Sequence, residues 1–320
     1  MAGFRLRFQG RGGASPPDPA DYPQGVIDKG LEAVYDLKTT AGPTSAYTQT
    51  LAVGNVPAGF NLSSPQLLSP TSGSTTVANW WLKDAEVTIR GTSIGNLVDC
   101  TLTFPGGGRL ALADDTSALN MTRCLVDGTG MSGAFASATV MLGGGTSGTI
   151  DHCKFINAPI GHFYSFAVSA DVTWSYFGMC GADPQADTHL ELIRNDRGSM
   201  DVENCFFDVT DGVIVFPPPD PPLVAGWSGF GFSETNSGSG SSITVTFTNC
   251  IFLGSMLQAM YAIFQPGAKF AGYDVTITVN NCVIERGTGP IIVATEMGAD
   301  VFIFGTGNVE PDGTPISSLF

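Results

Sequence analysis

Four acidic side chains near the middle of the chain are the best candidates for catalysis. Asp201 and Glu203 lie on either side of Val202, so both carboxylates would point to the same face of a β-strand. Two neighbouring carboxylates can serve as acid and base in glycoside cleavage. A solvated acidic surface is the alternative, and it is the favoured interpretation because the chain is acidic throughout. The weak catalytic candidates are Asp201, Glu203, Asp208 and Asp211.

A Pro-rich insertion supplies a second group of residues that could bind a ligand. Prolines stiffen the insertion near 216–242, and the aromatic rings that follow them offer flat apolar surfaces. These rings could contact a neighbouring subunit, the protein's own surface or the sugar rings of a glycan. The predicted binding residues are Trp227, Phe230 and Phe232.

The cysteines and histidines do not indicate a metal site. The chain has seven Cys and three His, but no close Cys/His pair has the spacing of a zinc site. Cys180 lies in a predicted loop and is expected to be the most reactive thiol. His162, within the segment 158–164, is interpreted as a polar loop residue rather than a catalytic base. No metal ion and no cofactor are predicted.

A short sequence motif recurs seven times, and it predicts the strands that position these side chains. Apolar residues stand three positions before and two positions after a recurring Cys. The step of three breaks the two-residue period of a strand, so a bend between two short strands is expected. Asn or Asp, which tolerate a left-handed backbone, precede the Cys in four repeats, and Arg123, His152 and Trp174 do so in the others. The aligned positions are Cys100, Cys124, Cys153, Ser175, Cys205, Cys250 and Cys282.

Such stacked repeats resemble the right-handed parallel β-helix of pectate-lyase-like proteins and phage tailspikes. The resemblance covers residues 88–309 and rests on Asn at a tight bend and on inward columns of Cys, aliphatic and aromatic residues. It implies an all-β fold, a single-stranded right-handed parallel β-helix, in which the recurring Cys are buried fillers. The Asp, His and Arg-Lys set of polygalacturonase-like enzymes is not found. The predicted regions are an attachment arm (1–24), a cap of mixed strands and loops (25–87), the β-helix (88–310) and a C-terminal tail (311–320).

Two features of the predicted cap region concern the entry to the repeats. Apolar residues between Val26 and Leu37 are spaced as on one side of a short helix, although Gly30 weakens that prediction. Trp80 and Trp81 precede the first recognised repeat and are expected to help close the N-terminal end of the core.

The N-terminus has a different pattern from the rest of the chain. Phe4, Leu6 and Phe8 alternate with Arg5 and Arg7, as in a strand, and residues 1–12 contain no acidic side chain. A strand on a flexible arm can join a partner's sheet, or it can cover the first repeat. The predicted attachment residues are Phe4, Arg5, Leu6, Arg7, Phe8 and Arg11.

Charge and hydropathy limit the possible partners. A formal net charge of −15 argues against a nucleic-acid-binding surface. The start of the chain has no apolar segment of the kind that signal peptides carry, and no apolar run reaches membrane-spanning length. We therefore expect no membrane contact and assembly in the reducing host cytoplasm.

Together these patterns predict a structural or receptor-binding virion protein: a β-helical phage spike, fibre or capsid-decoration subunit anchored by its arm. The resemblance to tailspikes implies a homotrimer, other virion proteins as partners, a host glycan as a second partner and localisation in the virion. The alternative is a polysaccharide depolymerase, a lyase or glycoside hydrolase acting on host surface glycans. A bacterial surface adhesin is a third and weaker interpretation. The missing enzyme motifs favour a role without catalysis, and the depolymerase alternative stays open.

Overall fold

The computed structural model describes residues 21–316 except for residues 64–66, 72, 108, 132–137, 159–160, 179–190, 209, 211–229, 234–242, 255–263, 268–274 and 286–300. The described part is mostly β-structure, and its helices and strands are numbered in chain order. Long parallel sheets dominate it, as expected for the predicted all-β class. Successive repeats contribute one strand to each of three sheets in turn.

The first sheet contains the strands that precede the bend, and all its strand pairs are parallel. Residues three positions before each aligned position pair with one another across the sheet, as Val202 does with Val172 and Phe247. This column is buried, as the sequence predicted. The strands, in sheet order, are β4 (Ser74–Ala78), β7 (Ile94–Val98), β10 (Ala118–Thr122), β13 (Ser147–Asp151), β16 (Ser169–Thr173), β19 (Gly198–Glu203), β22 (Ile243–Thr248), β25 (Val275–Asn280) and β27 (Val301–Phe304).

The second sheet contains the strands that follow the bend. Its inward column includes a row of stacked rings, in which the centroid of Phe207 lies 4.9 Å from that of Phe177 and 5.0 Å from that of Phe252. The strands, in sheet order, are β1 (Gln49–Thr50), β5 (Trp80–Lys83), β8 (Thr101–Thr103), β11 (Leu125–Asp127), β14 (Lys154–Ile156), β17 (Tyr176–Phe177), β20 (Phe206–Asp208), β23 (Ile251–Leu253) and β26 (Val283–Ile284).

The third sheet completes each repeat. It begins with an antiparallel hairpin and continues with parallel strands. Its strands are β2 (Phe60–Ser63), β3 (Leu67–Pro70), β6 (Glu86–Ile89), β9 (Ala111–Ala113), β12 (Val140–Leu142), β15 (Gly161–Ser165) and β18 (Glu191–Asn195). A further parallel pair, β21 (Phe230–Ser233) and β24 (Phe264–Gly267), lies beside β18.

The bend between the first and second sheets has the predicted left-handed backbone. The residues that precede the seven aligned positions all have φ between 46° and 53°. They include Arg123, His152 and Trp174, although bulky side chains adopt this conformation far less often than Asn or Asp. The bend prediction is confirmed.

A further repeat precedes those recognised in the sequence. Val77, Trp80 and Leu82 occupy its buried positions, and Asn79 has a φ of 60° at the bend. The Trp in place of Cys concealed the repeat, so the parallel sheets begin before residue 88. Trp80 is buried at this end of the core, while the Trp81 ring lies 5.2 Å from that of Tyr47.

Residues 22–44, here called the strap, run along the outer face of the second sheet. They contain three short helices, α1 (Gln24–Lys29), α2 (Glu32–Tyr35) and α3 (Leu37–Thr40). Gly30, with a φ of 63°, ends α1, which explains why the predicted helical stretch is divided. The apolar side of the strap packs on outward side chains of the second sheet. These outward side chains are Tyr176, Phe206, Ile251 and Val283.

Hydrogen bonds fix the strap at both ends. Near its start, the Gly25 N–H donates to the Pro311 carbonyl at 2.7 Å, and Gly25 packs against Glu310 so closely that a larger residue would clash. Near its end, the Gly42 N–H donates to the His152 carbonyl at 2.8 Å, and the Thr44 N–H donates to the Asp99 carboxylate at 3.0 Å. The strap thus connects the first repeats with the last. In the described ranges, no helix is both long and apolar enough to cross a membrane.

Candidate functional site

Asp201 and Glu203 lie on the outer face of β19. Their side chains are exposed and alternate with the buried Met200 and Val202. This orientation agrees with the strand alternation on which the sequence interpretation was based. Both carboxylates are therefore accessible to a ligand that approaches the first sheet.

A third carboxylate, which the sequence analysis did not single out, extends this group. Asp171 in β16 is exposed, and its Cα pairs with that of Asp201. Neighbouring strands lie about 4.8 Å apart, so two like charges face each other, an arrangement that destabilises a sheet. The signal was present in the alignment, because Asp171 stands four residues before Ser175 as Asp201 stands four residues before Cys205. Asp171, Asp201 and Glu203 are here called the carboxylate face.

The carboxylate face continues a row that is neutral and hydrogen-bonded in earlier repeats. The Asn120 amide donates to the Asn96 side-chain oxygen at 2.9 Å, and the Thr149 hydroxyl donates to the Asn120 side-chain oxygen at 2.9 Å. Among the residues that the structure describes, no ion pair connects a basic side chain to the three carboxylates. The row therefore changes from internally satisfied amides and hydroxyls to uncompensated negative charge.

A fourth carboxylate beside this face has partners of its own. Asp151 accepts a hydrogen bond from the Thr173 hydroxyl at 2.8 Å and lies 2.8 Å from His152 Nδ1. The His152 ring stacks on that of Trp174, with centroids 5.9 Å apart. Asp151 is thus held by neighbouring side chains, in contrast to the three members of the carboxylate face.

Asp208 does not belong to this group. It lies in β20 of the second sheet and is only 3% exposed. Its carboxylate forms a salt bridge with Lys38 of the strap, with Nζ 2.8 Å from Oδ2. Burial by itself raises the pKa of this carboxyl, but hydrogen bonds from Lys38 and Thr210 outweigh burial and hold the pKa below its ordinary value. The structure therefore separates Asp208 from Asp201 and Glu203 and gives it a role in holding the strap.

Other predicted residues lie outside the described part of the chain. These are Asp211, Trp227, Cys180 and the attachment residues Phe4, Arg5, Leu6, Arg7, Phe8 and Arg11. Phe230 and Phe232 belong to β21, so this part of the predicted insertion is a strand paired with β24. The alternation Phe-Gly-Phe-Ser is the period-two signal that the Pro-rich context concealed.

The recurring cysteines occupy an inward column and are free thiols. All six are buried without solvent exposure, as expected for small fillers. Burial raises the pKa of Cys205 to about 12 and that of Cys124 well above its ordinary value. Each thiol also lies close to a backbone carbonyl, as Cys124 Sγ does to the Leu97 carbonyl at 3.4 Å. These groups are scaffold rather than nucleophiles.

His162 was predicted to be a polar loop residue, and that prediction is wrong. It lies in β15 without solvent exposure, and its Nε2 is 2.7 Å from the Gly178 carbonyl oxygen. Its ring also faces Phe155, with centroids 6.0 Å apart. A buried imidazole packed between sheet residues cannot receive a proton from a surface-bound substrate without rearrangement.

The unusual bend residues are located where the strap crosses the corner between the first and second sheets. Arg123 makes two hydrogen bonds to Asp99, at 2.7 and 3.0 Å, and the same carboxylate accepts the Thr44 hydroxyl. The hydrogen bonds from Arg123 hold the pKa of Asp99 below its ordinary value. Trp174 packs against the apolar cluster beneath the strap. These residues contact the strap directly or through Asp99, and their left-handed backbone costs about 1 kcal/mol or more each.

The arrangement offers exposed polar groups that can bind a ligand. Three exposed carboxylates accept hydrogen bonds and attract cations, and the neighbouring hydroxyl groups can also donate. Within the described ranges, no group of three or more His, Cys, Asp or Glu side chains is placed to hold a metal ion. Comparisons with family models, curated protein sequences and solved structures find no match to this chain, so its function must be inferred from this geometry.

Proposed function

We propose that the chain is a structural or receptor-binding virion protein, built as a right-handed parallel β-helix and anchored by its N-terminal arm. The three sheets, visited in turn by successive repeats, support a rod-like scaffold. Its outer surface is free to vary while its core repeats. The proposed partners are other virion proteins, with a host glycan as the ligand of the exposed faces.

The strap is the observation that carries this proposal. It brings the chain from the last repeats to the first along one face and fixes it by hydrogen bonds at both ends. Residue 21, which belongs to the predicted arm and directly precedes the strap, is therefore attached to the whole stack rather than to a single repeat. An arm that holds a rod to a particle needs such a connection, because force applied to the arm would otherwise unfold a single repeat.

Particle incorporation tests the proposal. A variant lacking residues 2–12 is compared with a variant lacking residues 317–320, and the amount of protein in purified particles is measured for both. We expect incorporation to fall at least tenfold only when the arm is removed. Equal incorporation of the two variants would contradict anchoring by the arm.

The proposed homotrimer is tested separately on purified protein. Analytical ultracentrifugation of the full chain should give a mass of about three times 33.3 kDa. A monomer at micromolar concentration would remove the trimer from the proposal while leaving the anchoring experiment valid.

A polysaccharide depolymerase is the second candidate function, and the carboxylate face is the observation that favours it. Asp201 and Glu203 project side by side from one strand, with Asp171 beside them. Host capsule or lipopolysaccharide is incubated with the protein, and new reducing ends or unsaturated sugars are measured. Activity lost in Asp201→Asn and Glu203→Gln, but kept in the surface control Asp84→Asn, would favour the enzyme over the structural protein.

A further inference from the structure

The outer face of the first sheet carries negative charge that nothing in the described part of the chain neutralises. Asp171 and Asp201 are paired across neighbouring strands, and Glu203 follows two residues later on the same side. Most of the same face is formed by short polar side chains such as Thr149, Thr246 and Thr248, which leave the carboxylates accessible. This open sheet face is complementary to an extended basic segment.

The chain itself contains one segment of the required charge. Residues 1–12 carry Arg5, Arg7 and Arg11 and no acidic residue, whereas the whole chain has a formal net charge of −15. In an extended segment, Arg5 and Arg7 project to the same side and lie about 6.6 Å apart. This spacing resembles that of Asp201 and Glu203, which are also two residues apart in a strand.

The position of residue 21 brings this segment within reach of the carboxylate face. The Tyr22 ring lies 5.5 Å from that of Tyr35, which in turn stacks on Phe206 at 5.3 Å. Phe206 follows Glu203 by three residues around the bend. From residue 21 back to Arg11 the chain can extend by about 33 Å, whereas Phe206 and Glu203, being three residues apart, have Cα atoms within about 11 Å of each other. The other two arginines are further along the same extended segment.

We propose that residues 4–11 dock on the outer face of the first sheet of the same chain, with their arginines facing Asp171, Asp201 and Glu203. Attachment through residues 12–20 gives the arm a high effective concentration at this face, which favours the same chain over a second copy. In an extended arm the side chains of Phe4, Leu6 and Phe8 then point away from the sheet. The docked arm therefore presents an apolar row to a partner. This inference concerns the free protein and does not depend on the proposed function.

A labelled peptide tests the docking directly. A fluorescent peptide of residues 1–12 is titrated with protein lacking those residues, and its anisotropy gives the Kd. We expect Asp171→Asn, Asp201→Asn and Glu203→Gln together to raise the Kd about tenfold or more, as expected for three exposed ion pairs. The matched control carries Asp28→Asn, Glu32→Gln and Asp84→Asn, which remove the same charge elsewhere. This control should bind like the unchanged protein.

Two further titrations measure the binding of altered peptides and the binding of the labelled peptide to the full chain. A peptide with the three arginines replaced by serine should not bind, whereas one with lysines should bind, and neither requires the protein to refold. The full chain should bind the labelled peptide at least tenfold more weakly than the truncated protein, because its own arm occupies the face. Equal Kd values for the carboxylate variant and the control, or for the full and truncated chains, would overturn the proposal. Arm-dependent dimerisation that increases with concentration would also overturn it, because the arm would then bind a second copy.

Discussion

Asp208→Asn should show how strongly the strap is held to the second sheet. The Asp208 carboxylate is 3% exposed and accepts hydrogen bonds from Lys38 of the strap and from the Tyr176 hydroxyl at 3.2 Å. Asn keeps the size of the side chain and can still accept one of these bonds, but it loses the negative charge. The change therefore tests the contact with Lys38 rather than the packing of β20.

The magnitude follows from the exposure of the two partners. A hydrogen bond to a charged group contributes about 1.5–3 kcal/mol, and a buried charge left without a partner costs about 3–5 kcal/mol. Lys38 is 42% exposed, so it can turn to water once Asp208 is neutral, and the larger penalty does not apply. We expect the free energy of unfolding to fall by about 2 kcal/mol near pH 7.

The effect should depend on pH in a defined direction. The pKa of Asp208 is lower in the folded chain than its ordinary value of 3.8. Its contribution to stability is therefore fully present above about pH 4 and is lost as the pH falls through the folded-state pKa. Urea denaturation of the original chain and of Asp208→Asn at several pH values should show the two curves converging in acid.

Asp127→Asn is the matched control for this experiment. Asp127 stands in the same column of β11 and bonds Thr129 as Asp208 bonds Thr210, but the strap supplies no lysine to it in the described structure. The control should lose less than about 1 kcal/mol. If Asp208→Asn is no more destabilising than this control, or if its effect persists unchanged at low pH, the strap is not held by this ion pair.

Three further predictions concern the core and the strap. Phe207→Ala, which opens a gap between Phe177 and Phe252, should lower the free energy of unfolding by about 3–5 kcal/mol in urea denaturation, while Phe207→Leu should cost less. The six described cysteines should react with a thiol reagent only after unfolding, because they are buried; reaction of these thiols in the native protein would contradict the inward column. Gly25→Val should separate the strap from Glu310 and accelerate limited proteolysis within the strap, whereas an unchanged cleavage rate would show that this contact is dispensable.

The sequence predicted the parts of the fold that repeat locally. Apolar columns and the residue before each Cys carry a period that can be counted along the chain, and the structure reproduces both. The repeat at Trp80 was missed because an indole fills the place of a thiol. A large apolar side chain can fill a core position that a Cys fills in other repeats. An alignment based on the recurring Cys therefore misses such a repeat.

The strap and the partners of Asp208 could not be predicted in the same way. The strap meets residues such as Phe206 and Val283 that are far away in sequence, and these contacts leave no periodic signal. Asp208 and Glu203 look alike in the sequence as acids of the same repeat. The bend between them places Asp208 beneath the strap, where it is buried, and leaves Glu203 exposed to solvent. The environment of each carboxylate therefore depends on the bend rather than on the neighbouring residues in the sequence.

The strap also has a consequence for the order in which the protein can fold. Val26 and Val34 are made early in synthesis, but they pack on side chains of Ile251, Val283 and Val309, which are made near the end. Part of the apolar side of the strap is covered by Tyr176 and Phe206 of intermediate repeats, but the rest is buried only when the last repeats are in place. A nascent or truncated chain exposes this surface, which favours aggregation or chaperone binding. Full burial of the strap therefore requires that the final repeats have folded.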